Sequence, residues 1–296
     1  MTDSIVDTRV APAGPGDRRR VGLALVRPGE ILGAEPFYHE LTAGIERVLR
    51  PRGHTLLLQA LADRDAELDA YRRWAASGDF GAVVLVDLTL DDPRPALLGR
   101  LGLPAVVLGD PATSGDLPAV WTGDGLAMRD TVAALVADGH RRLGHVSGPA
   151  DLLHTQVRQE ALVTASRASS SVVETIEGDY SWDAGAAALS RLLSGPTPPT
   201  AVVFDNDQMA LGGLDAARRL GVDVPGRLTL VAWDDSSQCQ LSTPALSAVS
   251  HDVQGIGEVA AGMLLDVMAG RGATSVEARH ASLVRRGSSG PAPVRG

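Results

Sequence analysis

The stretch Thr200–Gly221, TAVVFDNDQMALGGLDAARRLG, decides how the rest of the chain is read. Its apolar run, Ala201 to Phe204, has the length and composition of a buried strand. The run stops at four hydrogen-bonding side chains, Asp205, Asn206, Asp207 and Gln208, and a helical pattern starts at once. A short apolar strand that feeds directly into a helix is the repeating unit of a parallel α/β sheet. What remains to be explained is why four polar side chains gather at the end of a buried strand.

The same alternation runs outward in both directions. RVGLALVRP, HTLLLQAL, GAVVLVDL, PAVVLGD, RRLGHVSG, VVETIEG and LTLVAWDD read as strands. Between them, PFYHELTAGIERVLRPRG places Leu41, Ile45, Val48 and Leu49 on one helical face, with Gly53 as a stop. DAELDAYRRWAASG, MRDTVAALVADG, residues near 155–166, DAGAAALSRLLSG and IGEVAAGMLLDVMAG read as further helices. Such right-handed βαβ units give parallel sheets covered on both faces. The strands are too many for one sheet, so the expected fold class is α/β, with two similar lobes that are each a parallel β-sheet flanked by helices.

Bulk properties set limits on function. The 296 residues are 44% apolar and 21% charged, ample for two cores. Net charge is −9 and all 27 basic residues are arginine, a balance that argues against non-specific nucleic-acid binding by this chain. The single cysteine, Cys239, excludes an internal disulfide. No apolar run approaches bilayer-spanning length and the N-terminus has no signal-peptide core, so a cytoplasmic protein with no membrane partner is expected. Residues 1–19, rich in Pro, Gly, Asp and Arg, read as a flexible tail.

In open parallel sheets, ligands bind beyond the C-terminal ends of the strands. Four polar clusters fall there: Glu35-Pro36-Phe37-Tyr38, Asp124, Asn206-Asp207 and Asp234-Asp235. Any one of them has a plainer explanation as a helix cap, and Asp207 and Asp235 suit that role well. Four clusters together favour a cleft.

PTAVVFDNDQMALGGLDAARRLGVDVPGRLTLVAWDDS closely resembles the effector-binding core of the lactose-repressor (LacI/GalR) family of regulators. In family order follow VGLALV…PFYHELTAGIERVLRPRGHTLLL, GDGLAMRDTVAALVADGHRRLGHVSGPADL, GDYSWDAG, STPALSAVSHDVQGIGEVAAGMLL and LVRRGSSGP. The resemblance covers about Arg19 to Pro291. It implies a type I periplasmic-binding-protein-like fold of two lobes joined by three crossovers, clamping a sugar or similar small polar effector, and a homodimer paired through both lobes. The expected division is 20–138 with 252–280 in the first lobe and 139–251 with 281–291 in the second, leaving 292–296 as a tail.

The resemblance also implies ligand-binding residues. Phe37 and Tyr180 match aromatics that pack on the ligand, and Asp124 matches a cleft carboxylate. Asn206 and Asp234 match hydrogen-bonding positions, and His251 lies just before the final crossover. Asn206 is thus expected to face the ligand, with Asp207 as the cap. Plainer roles stay open: packing for Phe37 and Tyr180, a turn or cap for Asp124, a structural histidine at 251, and lobe packing for Trp233. Family members carry a cleft arginine, a second arginine two residues on, and then a glycine. In ADLLHTQVRQEAL the cleft position falls to Gln156, the second arginine is Arg158 and Ala161 replaces the glycine. Gln156 is neutral and lacks the bidentate fork, so either a less acidic effector or loss of the usual effector is expected.

Regulators of this family read DNA through an N-terminal helix-turn-helix and a hinge helix. The 17 residues before RRRVGLALV show no helical pattern. Operator DNA is therefore expected as a partner only through a head domain absent from this chain, whether the chain is a fragment, has a misplaced start or belongs to a head-less protein. An exported solute-binding protein would share the two-lobe plan but needs an export signal. An enzyme is disfavoured: there is no Gly-x-Ser-x-Gly elbow, no Cys/His metal cluster and no dinucleotide fingerprint after the first strand, so no cofactor, metal or catalytic residue is expected.

Overall fold

The computed structural model describes residues 20–27, 33 and 35–293, so the reading of 1–19 as a tail lies outside the described residues, as does most of 292–296. The first sheet is seeded by β1 (Arg20–Val26), whose residues from Val21 to Leu25 are all buried. Burial on both faces is what its unbroken apolar run requires. Around it stand α1 (Pro36–Leu49), β2 (Thr55–Leu61), α2 (Arg64–Ser77), β3 (Phe80–Leu85), α3 (Pro93–Leu101), β4 (Ala105–Leu108) and β5 (Ala119–Trp121). The chain continues through α4 (Asp124–Ala137), β6 (Arg142–Ser147), α5 (Leu153–Ala168), β7 (Val172–Glu177), α6 (Trp182–Ser194), β8 (Ala201–Phe204) and α7 (Asp207–Arg219). It closes with β9 (Thr229–Trp233), α8 (Ser237–Leu241), β10 (Ser247–Ser250), α9 (Val253–Met268), β11 (Val276–Glu277) and β12 (Ser282–Val284).

Two six-stranded sheets result, in the orders β2-β1-β3-β4-β5-β11 and β7-β6-β8-β9-β10-β12. Every neighbouring pair is parallel except β10 and β12. The two orders are the same pattern, reversing direction between β1 and β3 in one sheet and between β6 and β8 in the other. Those reversals open a crevice at the strand ends, where the next strand's connection leaves on the opposite side. The expected α/β fold of two similar lobes is the observed one.

One boundary differs from the expected division. Helix α4, placed in the first lobe from the sequence, packs on the second sheet: Ala127, Met128, Val132 and Leu135 join a core with Leu143, Leu162, Val203 and Val231. The crossover therefore falls at Thr122–Gly123, where Gly123 takes the left-handed conformation at φ 68. The reverse exchange occurs with α9. It follows the last parallel strand of the second lobe but buries Val253, Ile256, Ala260 and Leu264 in the first-lobe core beside Leu41 and Ile45. Each lobe is thus covered by a helix that the chain delivers on leaving the other. Helices α1 and α9 approach so closely that a Cβ on Gly44 would lie 2.1 Å from the Gln254 carbonyl oxygen. The lobes also touch directly, through an antiparallel bridge between Thr89 and Leu152 and a hydrogen bond from Leu153 N–H to the Leu88 carbonyl at 2.9 Å.

Candidate ligand-binding cleft

The ends of both sheets face a shared cavity of about 430 Å³. Its first-lobe wall carries Arg27 at the end of β1, Glu35 and Phe37 at the start of α1, and Asp87 just beyond β3. Its second-lobe wall carries His154 and Arg158 from α5, Tyr180 before α6, and Asn206 and Asp234 after β8 and β9. Phe37, Asp124, Tyr180, Asn206, Asp234 and His251 all line it. Gln156 does not.

The phase of α5 explains the difference. His154, Val157 and Arg158 are spaced three and four residues apart, so they share one helical face, and all three line the cavity. Gln156 lies two residues from His154, on the far face at about 3.6 residues per turn. It is exposed and donates from Nε2 to the Ala150 carbonyl at 3.0 Å. The guanidinium expected to be missing from the cleft is therefore present, supplied by Arg158. Its Nε donates to Asp124 Oδ2 at 2.7 Å, Nη1 reaches the Asp205 carbonyl at 3.2 Å, and the group lies over the Trp233 ring at 4.1 Å. Trp233 is fully buried and serves as the platform for that arginine. Burial pushes the Asp124 carboxyl up, but the Arg158 charge and the Thr122 hydroxyl outweigh it and hold the group at about 2.

Capping is also assigned differently. Asn206, not Asp207, is the N-cap of α7: its Oδ1 accepts from Met209 N–H at 2.9 Å while its Nδ2 donates to the Tyr180 carbonyl at 3.0 Å. Asp207 is the first residue of the helix, and its buried Oδ2 has no hydrogen-bond partner among the described residues. Burial, aided by the nearby Asp234 charge, pushes its carboxyl up to about 7. Nor does Asp235 cap α8. That role falls to Ser236, because Asp235 is held by Arg286 in a two-point pair at 2.7 and 2.8 Å.

Five described non-glycine residues have positive φ, and three of them, Asp87, Tyr180 and Asp234, line the cavity. Such backbone costs free energy and concentrates at ligand sites. Tyr180 directs its hydroxyl to His154 Nε2 at 2.8 Å, and its ring lies 4.8 Å beneath the Arg27 guanidinium. Gly148 makes room for it, since a Cβ there would fall 2.1 Å from the Tyr180 hydroxyl oxygen. Asp87 accepts from the Tyr38 hydroxyl at 2.9 Å and pairs with Arg27 at 3.0 Å. Burial raises the Asp87 carboxyl, and Arg27 overcomes that to hold it below the usual range. Asp234 Oδ1 accepts from His251 Nε2 at 2.7 Å. Burial alone would discharge His251, but that hydrogen bond and charge raise its pKa above the ordinary value. Asp205 braces the floor, bonded to His145 at 2.9 Å and to Gly148 N–H at 3.0 Å.

Arg27, Asp87, His154 and Asp205 were not among the residues chosen from the sequence. Three carried a usable signal: Arg27, Asp87 and Asp205 are polar residues at strand ends, the same mark that singled out Asp234. His154 becomes legible only once the phase of α5 is known. Chemically, the walls offer carboxylates, imidazoles and an amide for hydroxyl and N–H groups, with aromatic surface at Phe37 and Tyr180. Cys239 is buried, and burial pushes its thiol up to about 12, so it supplies no nucleophile.

Comparison with known proteins agrees with this architecture. Residues 132–289 match the family described as periplasmic binding protein-like domain. The chain is 30% identical over 290 residues to the HTH-type transcriptional regulator reg1 of Streptomyces lividans, covering 93% of this chain and 83% of that protein. It is 29% identical over 240 residues to the HTH-type transcriptional repressor CytR of Escherichia coli, covering 80% and 70%. A LacI family transcriptional regulator from Bifidobacterium animalis superposes with a TM-score of 0.85 at 30% identity, covering 93% of this chain and 98% of that one. The transcriptional regulator CelR in complex with cellobiose superposes with a TM-score of 0.83 at 27% identity, covering 92% and 85%.

Proposed function

We propose, for a chain that belongs to the LacI family of transcriptional regulators, that it is the effector-binding and dimerisation core through which a small polar molecule controls DNA binding. The observation that carries this is the cavity itself: a two-walled crevice at the strand ends, lined by Asp234, His251, Phe37 and Tyr180. Its mixture of carboxylates and aromatic faces suits a sugar, whose hydroxyls donate to carboxylates while a ring covers its apolar side. The complex of the similar CelR with cellobiose supports the same class.

The protein then acts by binding, without chemistry of its own, in the cytoplasm where operators are found. An effector that touches both walls favours one degree of lobe closure over another. Coupling requires a homodimer, whose paired first lobes carry the change to DNA-binding heads. Residues 1–19, where the sequence suggested a tail instead of a head, lie outside the described residues.

The test is a thermal-shift and calorimetric screen of the protein with cellobiose, ribose and cytidine, repeated on Asp234→Ala. At least one compound should raise the melting temperature of the wild type, and Asp234→Ala should weaken that compound about tenfold or more. If no neutral sugar or nucleoside binds, or if Asp234→Ala binds normally, the assignment of the cleft fails.

A further inference from the structure

Helix N-termini are ready-made sites for anions, and at the cavity the start of α5, where Leu153 and His154 line the wall, carries no acidic residue in its first turn, whereas those of α1, α4 and α7 do not stand open. Each of these three already carries a carboxylate of the chain. Glu35 occupies the N-cap of α1, Asp124 is the first residue of α4, and Asp207 is the first residue of α7. The guanidiniums on the two walls are engaged as well, Arg27 by Asp87 at 3.0 Å and Arg158 by Asp124 at 2.7 Å. His251 is held by Asp234. Among the described lining residues, the remaining arginine is Arg129, exposed at the rim.

Of the carboxylates that line the cavity, Glu35 is held without a hydrogen bond to its cation. It is only 7% exposed, it makes no capping hydrogen bond to its own helix, and among the described residues its Oε2 has no hydrogen-bond partner. Its cation is Arg27 Nε, 3.5 Å away, close enough for attraction but without hydrogen-bond geometry. An N-cap carboxylate that forgoes its cap gives up a local stabilisation of about 1 kcal/mol. Buried acceptors ordinarily have a donor, from the protein, from water or from a ligand.

We propose that Glu35 sets the charge of the effector: it accepts a hydroxyl from an uncharged polyhydroxy ligand and excludes the phosphorylated form of the same compound. The inference rests on the cleft being the effector site. A phosphate ester entering here meets Glu35 and Asp87 beside Arg27, whose single charge the two carboxylates already share, and like charges in a desolvated site repel. A neutral polyol meets the opposite situation, with acceptors waiting for its donors. Burial also pushes the Glu35 carboxyl up to about 7, against the pull of Arg27, so the repulsion of a phosphate is strongest above that pH and fades below it.

The experiment compares the wild type with Glu35→Gln and with Glu35→Asp, which keeps the charge. Melting temperatures are measured with inorganic phosphate against sodium chloride of equal ionic strength. Affinities are then measured for ribose with ribose 5-phosphate and for glucose with glucose 6-phosphate. Phosphate should give no specific shift for the wild type or Glu35→Asp and a clear one for Glu35→Gln, which should also bind the phosphate esters about tenfold tighter than the wild type does. A phosphate-specific shift of equal size in all three proteins, no gain in Glu35→Gln, or a wild type that prefers a phosphate ester to its parent sugar would overturn the inference. If the neutral sugars bind none of the proteins, the sugar-effector reading fails instead, and the inorganic phosphate comparison still decides the role of Glu35.

Discussion

Asp234 and His251 meet at 2.7 Å across the second-lobe sheet, one at the end of β9 in a left-handed backbone conformation, the other just past β10. The carboxylate accepts from Nε2, while Nδ1 of the same ring is buried with no hydrogen-bond partner among the described residues. The pair fixes the imidazole at the cavity wall beside Phe37, whose ring centre is 6.1 Å away.

The pair should give a pH-dependent stability. Asp234 raises the folded-state pKa of His251 above its unfolded value, so the folded protein holds that proton more tightly. The stabilisation is fully present below about pH 6.5 and is lost as pH rises through the folded pKa. Melting curves of the wild type and His251→Gln should differ most near pH 5.5 and converge towards pH 8.5. A gap that widens with pH would contradict the pairing.

Asp207 should respond with the same sign. Its carboxyl titrates near 7 when folded, against about 3.9 in an unfolded chain, so its burial destabilises increasingly as pH rises from about 4 to 7. Asp207→Asn should melt on the order of 5 °C above the wild type at pH 8 and lose most of that advantage at pH 4.5. Equal shifts at both pH values would place the ionisation elsewhere.

Arg158 and Gln156 separate the structural assignment from the sequence expectation. Arg158→Ala leaves Asp124 buried without its cation and removes the group stacked on Trp233. It should cost about 3 kcal/mol or more and abolish effector binding. Gln156→Ala should change melting by less than about 1 kcal/mol and leave binding intact. Loss of binding in Gln156→Ala would restore the residue to the cleft.

Asn206→Ala should destabilise the protein by about 1 kcal/mol, because it removes the α7 cap and frees the Tyr180 carbonyl. Asn206→Asp retains the capping oxygen but has no N–H for the Tyr180 carbonyl and adds a buried carboxylate between Asp205 and Asp207, so it should recover only part of the loss. Chemical denaturation of both variants reads the difference, and an unaffected Asn206→Ala would show that the cap contributes little.

Gly44→Ala should be among the most damaging single-atom changes, since its Cβ would lie 2.1 Å from the Gln254 carbonyl oxygen. Neither helix backbone can yield without disturbing the first-lobe core, so a cost of about 2 kcal/mol or more is expected in denaturant unfolding. A melting temperature within a degree of the wild type would mean that α1 and α9 can move apart freely.

The sequence by itself determined the alternating strands and helices, the two parallel sheets and the strand-end location of the cleft. Local patterns encode these features: an apolar run such as Ala201–Phe204 must be buried on both faces, and a polar cluster after it must lie at the sheet's edge. The resemblance to the regulator family singled out Phe37, Asp124, Tyr180, Asn206, Asp234 and His251, and all six line one cavity. Tertiary structure decided what depends on phase and on distant partners. The rotation of α5 exchanged Gln156 for Arg158, and a one-residue difference in where α7 begins made Asn206 the cap and left Asp207 buried without one. Helix α4 went to the second lobe because its apolar face fits a core built from strands that follow it in sequence. The pairings of Asp234 with His251 and of Arg27 with Asp87 join residues far apart in the chain, and no local pattern of residues specifies such partners.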